Sequence, residues 1–87
     1  QDSGDHADVA NTLANLGRLL QSRGDVEGAV KSVRESVEIF RRLHSGDHRD
    51  TSQSLRNLAV VLREAGDLSV CEDAYREALE MTRRIYS

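Results

Sequence analysis

The chain has 87 residues, of which 38% are hydrophobic and 31% are charged, the composition of a single small globular domain. Twelve basic residues stand against 15 acidic ones, and a net charge of −3 excludes a polycation built to bind phosphate backbones. No apolar run approaches the roughly 20 residues of a membrane helix, and no signal peptide is visible. A single cysteine excludes an internal disulfide framework. We therefore expect an intracellular, cytoplasmic protein without nucleic-acid or membrane partners.

The first predicted helix covers residues 6–22. Its apolar residues recur at intervals of four, three and four positions, at Val9, Leu13, Leu16 and Leu20. This spacing places them on one face of an α-helix. Asp5 stands where an N-cap is needed, and Gly24 can supply the left-handed residue that ends the helix.

The second predicted helix covers residues 26–43 and is capped by Asp25. Its apolar stripe consists of Val26, Ala29, Val30, Val33, Val37 and Phe40. Arg41 and Arg42 fall in the last turn, where cations suit the carbonyl end of the helix dipole, and Gly46 ends the pattern.

The remainder of the chain repeats this arrangement. Residues 4–45 match residues 46–87 at 16 of 42 positions without a gap. The duplication predicts helices near 48–64 and 68–86, and it divides the chain into a leader, 1–3, and two repeats. Because two repeats are few for such an architecture, we interpret the chain as a fragment of a longer array.

Short connections between the helices predict antiparallel neighbours. Small residues recur at equivalent positions in the two repeats, as the pairs Gly17/Ala59, Ala29/Cys71 and Ser36/Ala78. Because small side chains let helix axes approach closely, we expect these positions to mark the contact between the two helices of each repeat.

The spacing Leu13-x-x-Leu16-Gly17, followed by Gly24 and Ala29, resembles the signature of the tetratricopeptide repeat, and the second copy repeats it. Gly4-Asp5-His6 and the 42-residue period resemble most closely the repeats of kinesin light chains. The usual proline is Ala7 or Arg49, and the usual aromatic after Gly-Asp is Val26 or Leu68. The resemblance implies an all-α, right-handed α–α superhelix, a solenoid of two helix-turn-helix repeats with four antiparallel helices.

The resemblance also implies a function, a non-catalytic scaffold that binds a protein segment in the groove formed by the first helix of each repeat. Its groove positions are Asn11, Ala14, Asn15, Arg18, Gln21 and Ser22, then Gln53, Arg56, Asn57, Val60, Arg63 and Glu64. Of these, the candidate peptide-binding residues are Asn11, Asn15, Arg18, Gln53, Arg56, Asn57 and Arg63. No cofactor is implied.

The asparagines and the arginines of this set would have different roles in binding the ligand. An Asn amide offers a donor and an acceptor, which match one peptide unit, so Asn15 and Asn57 would hold the main chain of the ligand. The alternative is that each bonds a neighbouring helix. Arg18, Arg56 and Arg63 would favour an acidic peptide, unless they form an ordinary solvated face.

Other sites are disfavoured by the sequence. His44, Asp47 and His48 could offer metal ligands, but Gly46 separates them, and a structural role at the inter-repeat turn is the simpler interpretation. Cys71 occupies the position of Ala29, which predicts a buried hydrophobe. A clamp for C-terminal carboxylates needs a lysine that the groove lacks. RNA-reading repeats need stacking aromatics, whereas the aromatics here fall on the second helices. No constellation supports an enzyme.

An alternative function is homotypic assembly. Two repeats leave apolar residues open at each end, for which the pattern indicates Val9 and Leu19 at one end and Val61, Leu79 and Ile85 at the other. A homodimer formed by end stacking or by helix exchange would cover them.

Overall fold

The computed structural model describes residues 6–87, which form four helices. These are α1 (Ala7–Ser22), α2 (Val26–Leu43), α3 (Arg49–Ala65) and α4 (Leu68–Tyr86). Every boundary lies within one residue of the prediction. The all-α architecture of two helix-turn-helix units is confirmed, whereas the exact limits of the leader and the repeats stay a prediction. Within the described residues, no helix is both long and apolar enough to span a bilayer.

The helix ends follow the expected chemistry with one difference. Asp25 Oδ1 accepts from the Gly28 backbone N–H at 3.0 Å, and Asp67 caps α4 in the same way at 3.4 Å. Asp5 lies outside the described residues. At the start of α3 the N-cap is His48, whose Nδ1 accepts from the Asp50 N–H at 3.0 Å. The turn after α1 requires glycine, because Gly24 has φ 86°, a backbone conformation that residues with a side chain rarely adopt.

The small residues lie at the helix contacts, as expected. A Cβ added to Gly17 would collide with Val33 Cγ2. In the second repeat, Cys71 is buried and its Sγ donates to the Ala59 carbonyl at 3.2 Å, which confirms the prediction of a buried cysteine. Close approach of the backbones therefore joins the two helices of each repeat.

A serine hydroxyl ties each helix pair, but from opposite helices. In the first repeat, Ser36 of α2 donates to the Ala10 carbonyl of α1 at 2.8 Å. In the second repeat, Ser52 of α3 donates to the Ala78 carbonyl of α4 at 3.2 Å. Since Ala10 and Ser52 are equivalent, as are Ser36 and Ala78, the duplication keeps the bond while exchanging its donor.

The two repeats meet where α2 of the first repeat packs against α3 of the second, and we call this contact the inter-repeat junction. Its apolar part is a single core that includes Val33 and Val37 of α2 with Leu55, Leu58 and Val61 of α3. These side chains are all buried, because α3 lies between α2 and α4. The core of this molecule is therefore centred on α3.

Two ion pairs flank the junction. Arg41 of α2 donates to both carboxylate oxygens of Glu77 on α4, at 2.8 and 3.1 Å, and these hydrogen bonds raise the pKa of Arg41. Arg84 donates in the same bidentate manner to Asp47, at 2.7 and 2.9 Å, and lowers the pKa of that carboxyl group. The second pair links α4 to the turn before α3, and because its side chains are largely exposed we expect a small contribution to stability.

Burial differs from the sequence prediction at the ends of the stack. Leu16, which belongs to the apolar stripe of α1, is exposed, whereas Ala10, Ala14 and Gly17 form the buried face of the helix. Val61 was expected to lie open but is buried, because it packs into the junction. Val9, Leu19 and Leu79 are exposed as predicted, and Ile85 is half-buried.

Candidate functional site: a polar groove along α1 and α3

A cleft of about 170 Å³, here called the main cleft, lies between α1 and α3. It brings together five of the seven candidate residues, namely Asn11, Asn15, Arg18, Gln53 and Asn57. Ala14, another predicted groove position, also lines it, although its side chain is buried. The volume is below the range of about 300–1,000 Å³ typical of small-molecule sites, so the cleft suits one side chain or a short chain segment.

The two asparagines differ in their hydrogen bonding. Asn15 Oδ1 accepts from Arg18 Nη2 on the same helix, at a long 3.4 Å. Within residues 6–87, the Asn57 side chain has no hydrogen-bond partner. Neither amide forms a hydrogen bond to a neighbouring helix in the part of the chain that the structure describes. Both remain able to bond an incoming peptide unit.

Four residues that line the main cleft are not among the predicted groove positions: Ser36, Phe40, Asp50 and Ser54. The first two belong to α2, which the repeat pattern assigns to the back of the groove. Phe40 lies on the second helix of its repeat, as predicted, and reaches the cleft because α2 crosses behind α1 and α3; its side chain is buried. Asp50 adds an anion to a cleft whose charge was expected to come from arginines.

A second cleft, of about 260 Å³, continues the groove and shares Gln53 with the main cleft. Its lining includes the arginines Arg49 and Arg56 and the hydroxyls of Ser52 and Thr82, with Ile85 and Tyr86 as the apolar part. Tyr86, on α4, is exposed there. Positive charge is therefore concentrated in the second cleft.

Arg63, the remaining candidate, lines neither cleft. It lies exposed in the last turn of α3, where its carbonyl accepts from the Gly66 N–H. Gln21 on α1 likewise stands outside both clefts. The groove positions near the helix C-termini are thus separated from the two clefts.

The histidines of the inter-repeat turn come together despite Gly46. The rings of His44 and His48 stack with centroids 3.5 Å apart, and His44 Nε2 lies 3.2 Å from Asp50 Oδ2. The potential ligand atoms of these three residues lie within 4.8 Å of one another. However, His48 Nδ1 already accepts the Asp50 N–H as the N-cap of α3, which leaves only its Nε2 as a ligand atom. The arrangement supports the structural interpretation, with Asp50 in place of the expected Asp47.

The fold, the 42-residue duplication and the glycine-ended first helices are those of one family, whose sequence model, described as tetratricopeptide repeat, matches residues 8–84. The chain belongs to the tetratricopeptide-repeat family. Comparison with curated proteins finds no match. Tetratricopeptide repeats generally mediate protein–protein interaction and generally serve as non-enzymatic scaffolds. In this tetratricopeptide-repeat protein, the main cleft lies between the first helices of the two repeats, and the second cleft lies between α3 and α4.

Proposed function

We propose that this tetratricopeptide-repeat chain binds an extended peptide segment of a partner protein along the two clefts, without catalytic activity. The observation that carries the proposal is the unpartnered Asn57 amide, which faces Asn11 and Asn15 across the main cleft. A polar group that finds no partner within the fold offers its full hydrogen-bonding capacity to a ligand. Asn15 and Asn57 would then bond the peptide main chain, with Gln53 between the two clefts.

Charge selects the ligand in this proposal. Arg18 lines the main cleft together with Asp50, so the two opposite charges partly offset each other. The second cleft has Arg49 and Arg56, and no carboxylate lines it within the described residues. We therefore assign acidic side chains of the ligand to the second cleft, with Arg63 contributing at longer range. In this preference the chain would resemble kinesin light chains, and we propose that it acts as a cytoplasmic adaptor.

The test is a titration with fluorescent extended peptides that are acidic, neutral or basic, with and without a tryptophan. We expect saturable binding of the acidic peptides, weakened by salt because exposed charges are screened. The Asn15→Ala/Asn57→Ala double variant should bind roughly tenfold more weakly, since two net hydrogen bonds are lost. Equal binding by the double variant would refute the role of the asparagines.

Matched controls separate the groove from the rest of the surface. Gln21→Ala removes an amide from the same helix outside both clefts and should leave the affinity unchanged. Arg56→Ala should reduce affinity for acidic peptides more than Arg63→Ala does. An oligonucleotide of the same charge as the acidic peptide should not compete. Competition by the oligonucleotide would assign the second cleft, with Tyr86, to nucleic acid instead.

Homotypic assembly is the second candidate function, and one specific observation favours it. Exposed apolar side chains cover the outer face of α1, at Val9, Leu16 and Leu19, and that of α4, at Leu68 and Leu79. Grouped exposed apolar residues of this kind mark interaction surfaces. A mass that increases with protein concentration, measured by sedimentation, would support self-association, and a monomer at high concentration would exclude it.

A further inference from the structure

The outer faces of α1 and α4 are the two halves of a contact that the molecule already contains once. Leu19 on α1 is 53% exposed, whereas Val61, 42 residues later, is 2% exposed inside the inter-repeat junction. Leu79 on α4 is 51% exposed, whereas Val37, 42 residues earlier, is 3% exposed in the same junction. The exposed face of α1 is therefore equivalent to the face of α3 that packs on α2. The exposed face of α4 is equivalent to the face of α2 against which α3 packs.

The apolar half of the α4 face is also shaped as a groove. Leu68, Tyr75 and Leu79 line a mainly apolar depression of about 430 Å³, together with Cys71. The ion pair of Glu72 with Arg76 also lines it. The equivalent residues of α2 include Val33 and Val37, which pack against Leu55, Leu58 and Val61 of α3. A helix with the apolar spacing of α3 therefore fits this groove, and α1 has that spacing.

Charge points to the same partner and sets the register. The inter-repeat junction contains the bidentate ion pair of Arg41 with Glu77. Arg83 stands 42 residues after Arg41, and Glu35 stands 42 residues before Glu77. Both side chains are exposed, and neither has an ion-pair partner within residues 6–87. When α1 and α2 of a second copy pack on α4 as α3 and α4 pack on α2, its Glu35 meets Arg83.

We propose that two copies of this chain associate head to tail, with the α1 face of one copy packed on the α4 face of the other and Arg83 paired with Glu35. This inference rests on the second candidate function and gives it a geometry. The contact joins two different surfaces, so each added copy leaves one free α1 face and one free α4 face. Assembly therefore continues beyond the dimer, whereas helix exchange between two copies would give a closed dimer.

The experiment blocks one face at a time. Leu19→Lys places a charge in the α1 face, and Leu79→Lys places one in the α4 face; both positions are exposed, so the fold tolerates them. By sedimentation, each variant alone should associate about 100-fold more weakly than the unmodified chain, because the new charge is desolvated without a partner. An equimolar mixture should form a discrete heterodimer, since one compatible pair of faces remains.

The control is Val60→Lys, which adds the same charge on the groove side, where the first repeat has Arg18; it should assemble like the unmodified chain. Arg83→Glu and Glu35→Arg should each weaken association about fivefold, and the two together in one chain should restore it. A monomeric unmodified chain, or a mixture that stays monomeric, would overturn the proposal. So would a dimer that ignores both blocking lysines.

Failure of this proposal is distinguishable from failure of the peptide groove. The Leu19→Lys/Leu79→Lys double variant leaves Asn15 and Asn57 in place and should remain monomeric. If that variant binds the acidic peptides with unchanged affinity, the groove functions independently of assembly. If it does not bind them although each helix is intact by circular dichroism, peptide binding requires the stacked form.

Discussion

Leu16 on α1 and Leu58 on α3 hold the same position in the two repeats, yet Leu16 is 41% exposed and Leu58 is 6% exposed. The two helices have the same apolar spacing, and each packs on the second helix of its own repeat, α1 on α2 and α3 on α4. They differ in their second neighbour, because α3 packs on α2 as well as on α4, whereas α1 meets the rest of the described chain mainly through α2.

The apolar residues of a helix in a stacked repeat therefore form two different contacts. Small residues such as Ala10 and Gly17 serve the contact within the repeat and are buried in both copies. Larger residues such as Leu16 and Leu19 serve the contact between repeats and are buried only where a neighbour exists. Repeat stability is accordingly a sum of intrinsic and nearest-neighbour contributions.

The largest expected effect tests this division directly. Leu58→Ala should lower the free energy of unfolding by about 3 kcal/mol, because it removes buried methyl groups and leaves a cavity. Leu16→Ala should cost less than about 1 kcal/mol, since its side chain is already half in water. Urea unfolding of both variants measures the difference. Equal costs would show that the outer face of α1 is covered in solution.

The second prediction concerns the contact within a repeat. Gly17→Ala should destabilise the fold by about 2 kcal/mol, because the new Cβ meets Val33 Cγ2 and overpacks the contact. Combining it with Val33→Ala should recover part of that cost relative to the sum of the single changes. Ala59, the equivalent residue in the second repeat, is the natural control, and strict additivity in a double-mutant cycle would contradict the steric explanation.

A third prediction is stabilising. Thr51 in the first turn of α3 is buried, and among the described residues its Oγ1 has no hydrogen-bond partner. The first repeat has Val9 at this position. Thr51→Val keeps the shape and removes the unsatisfied hydroxyl, so the unfolding free energy should rise by about 1 kcal/mol. Val9→Thr, at an exposed site, should change stability much less; a destabilised Thr51→Val would indicate an ordered water on the hydroxyl.

The smallest effect depends on pH. Arg84 lowers the pKa of Asp47 below its ordinary 3.8, so the folded state binds the proton less readily than the unfolded state. The resulting stabilisation is present above 3.8 and is lost as the pH falls through the lowered value. Asp47→Asn should therefore reduce the acid-induced loss of stability in a titration from neutral pH. An identical acid transition in the variant would show that the ion pair contributes nothing in solution.

The duplication, the four helices and their ends are determined by the sequence itself. The periodic apolar residues, Asp25 and Gly24 are local signals, and each acts within one turn of the helix that it defines. The groove candidates on α1 and α3 likewise follow from helix periodicity once the repeat is recognised. Five of them line the main cleft. Those on one helix share a face by periodicity, and the packing of the repeats brings the two helices together.

Burial and the full set of groove residues were decided by the tertiary structure. Val61 is buried and Leu16 is exposed because burial depends on which helix lies opposite, and no local pattern contains that information. Phe40 and Tyr86 enter the clefts because the second helix of each repeat crosses behind the first. The sequence thus determined the repeat unit, and the stacking of one unit on the next decided which of its surfaces are core, groove or open end.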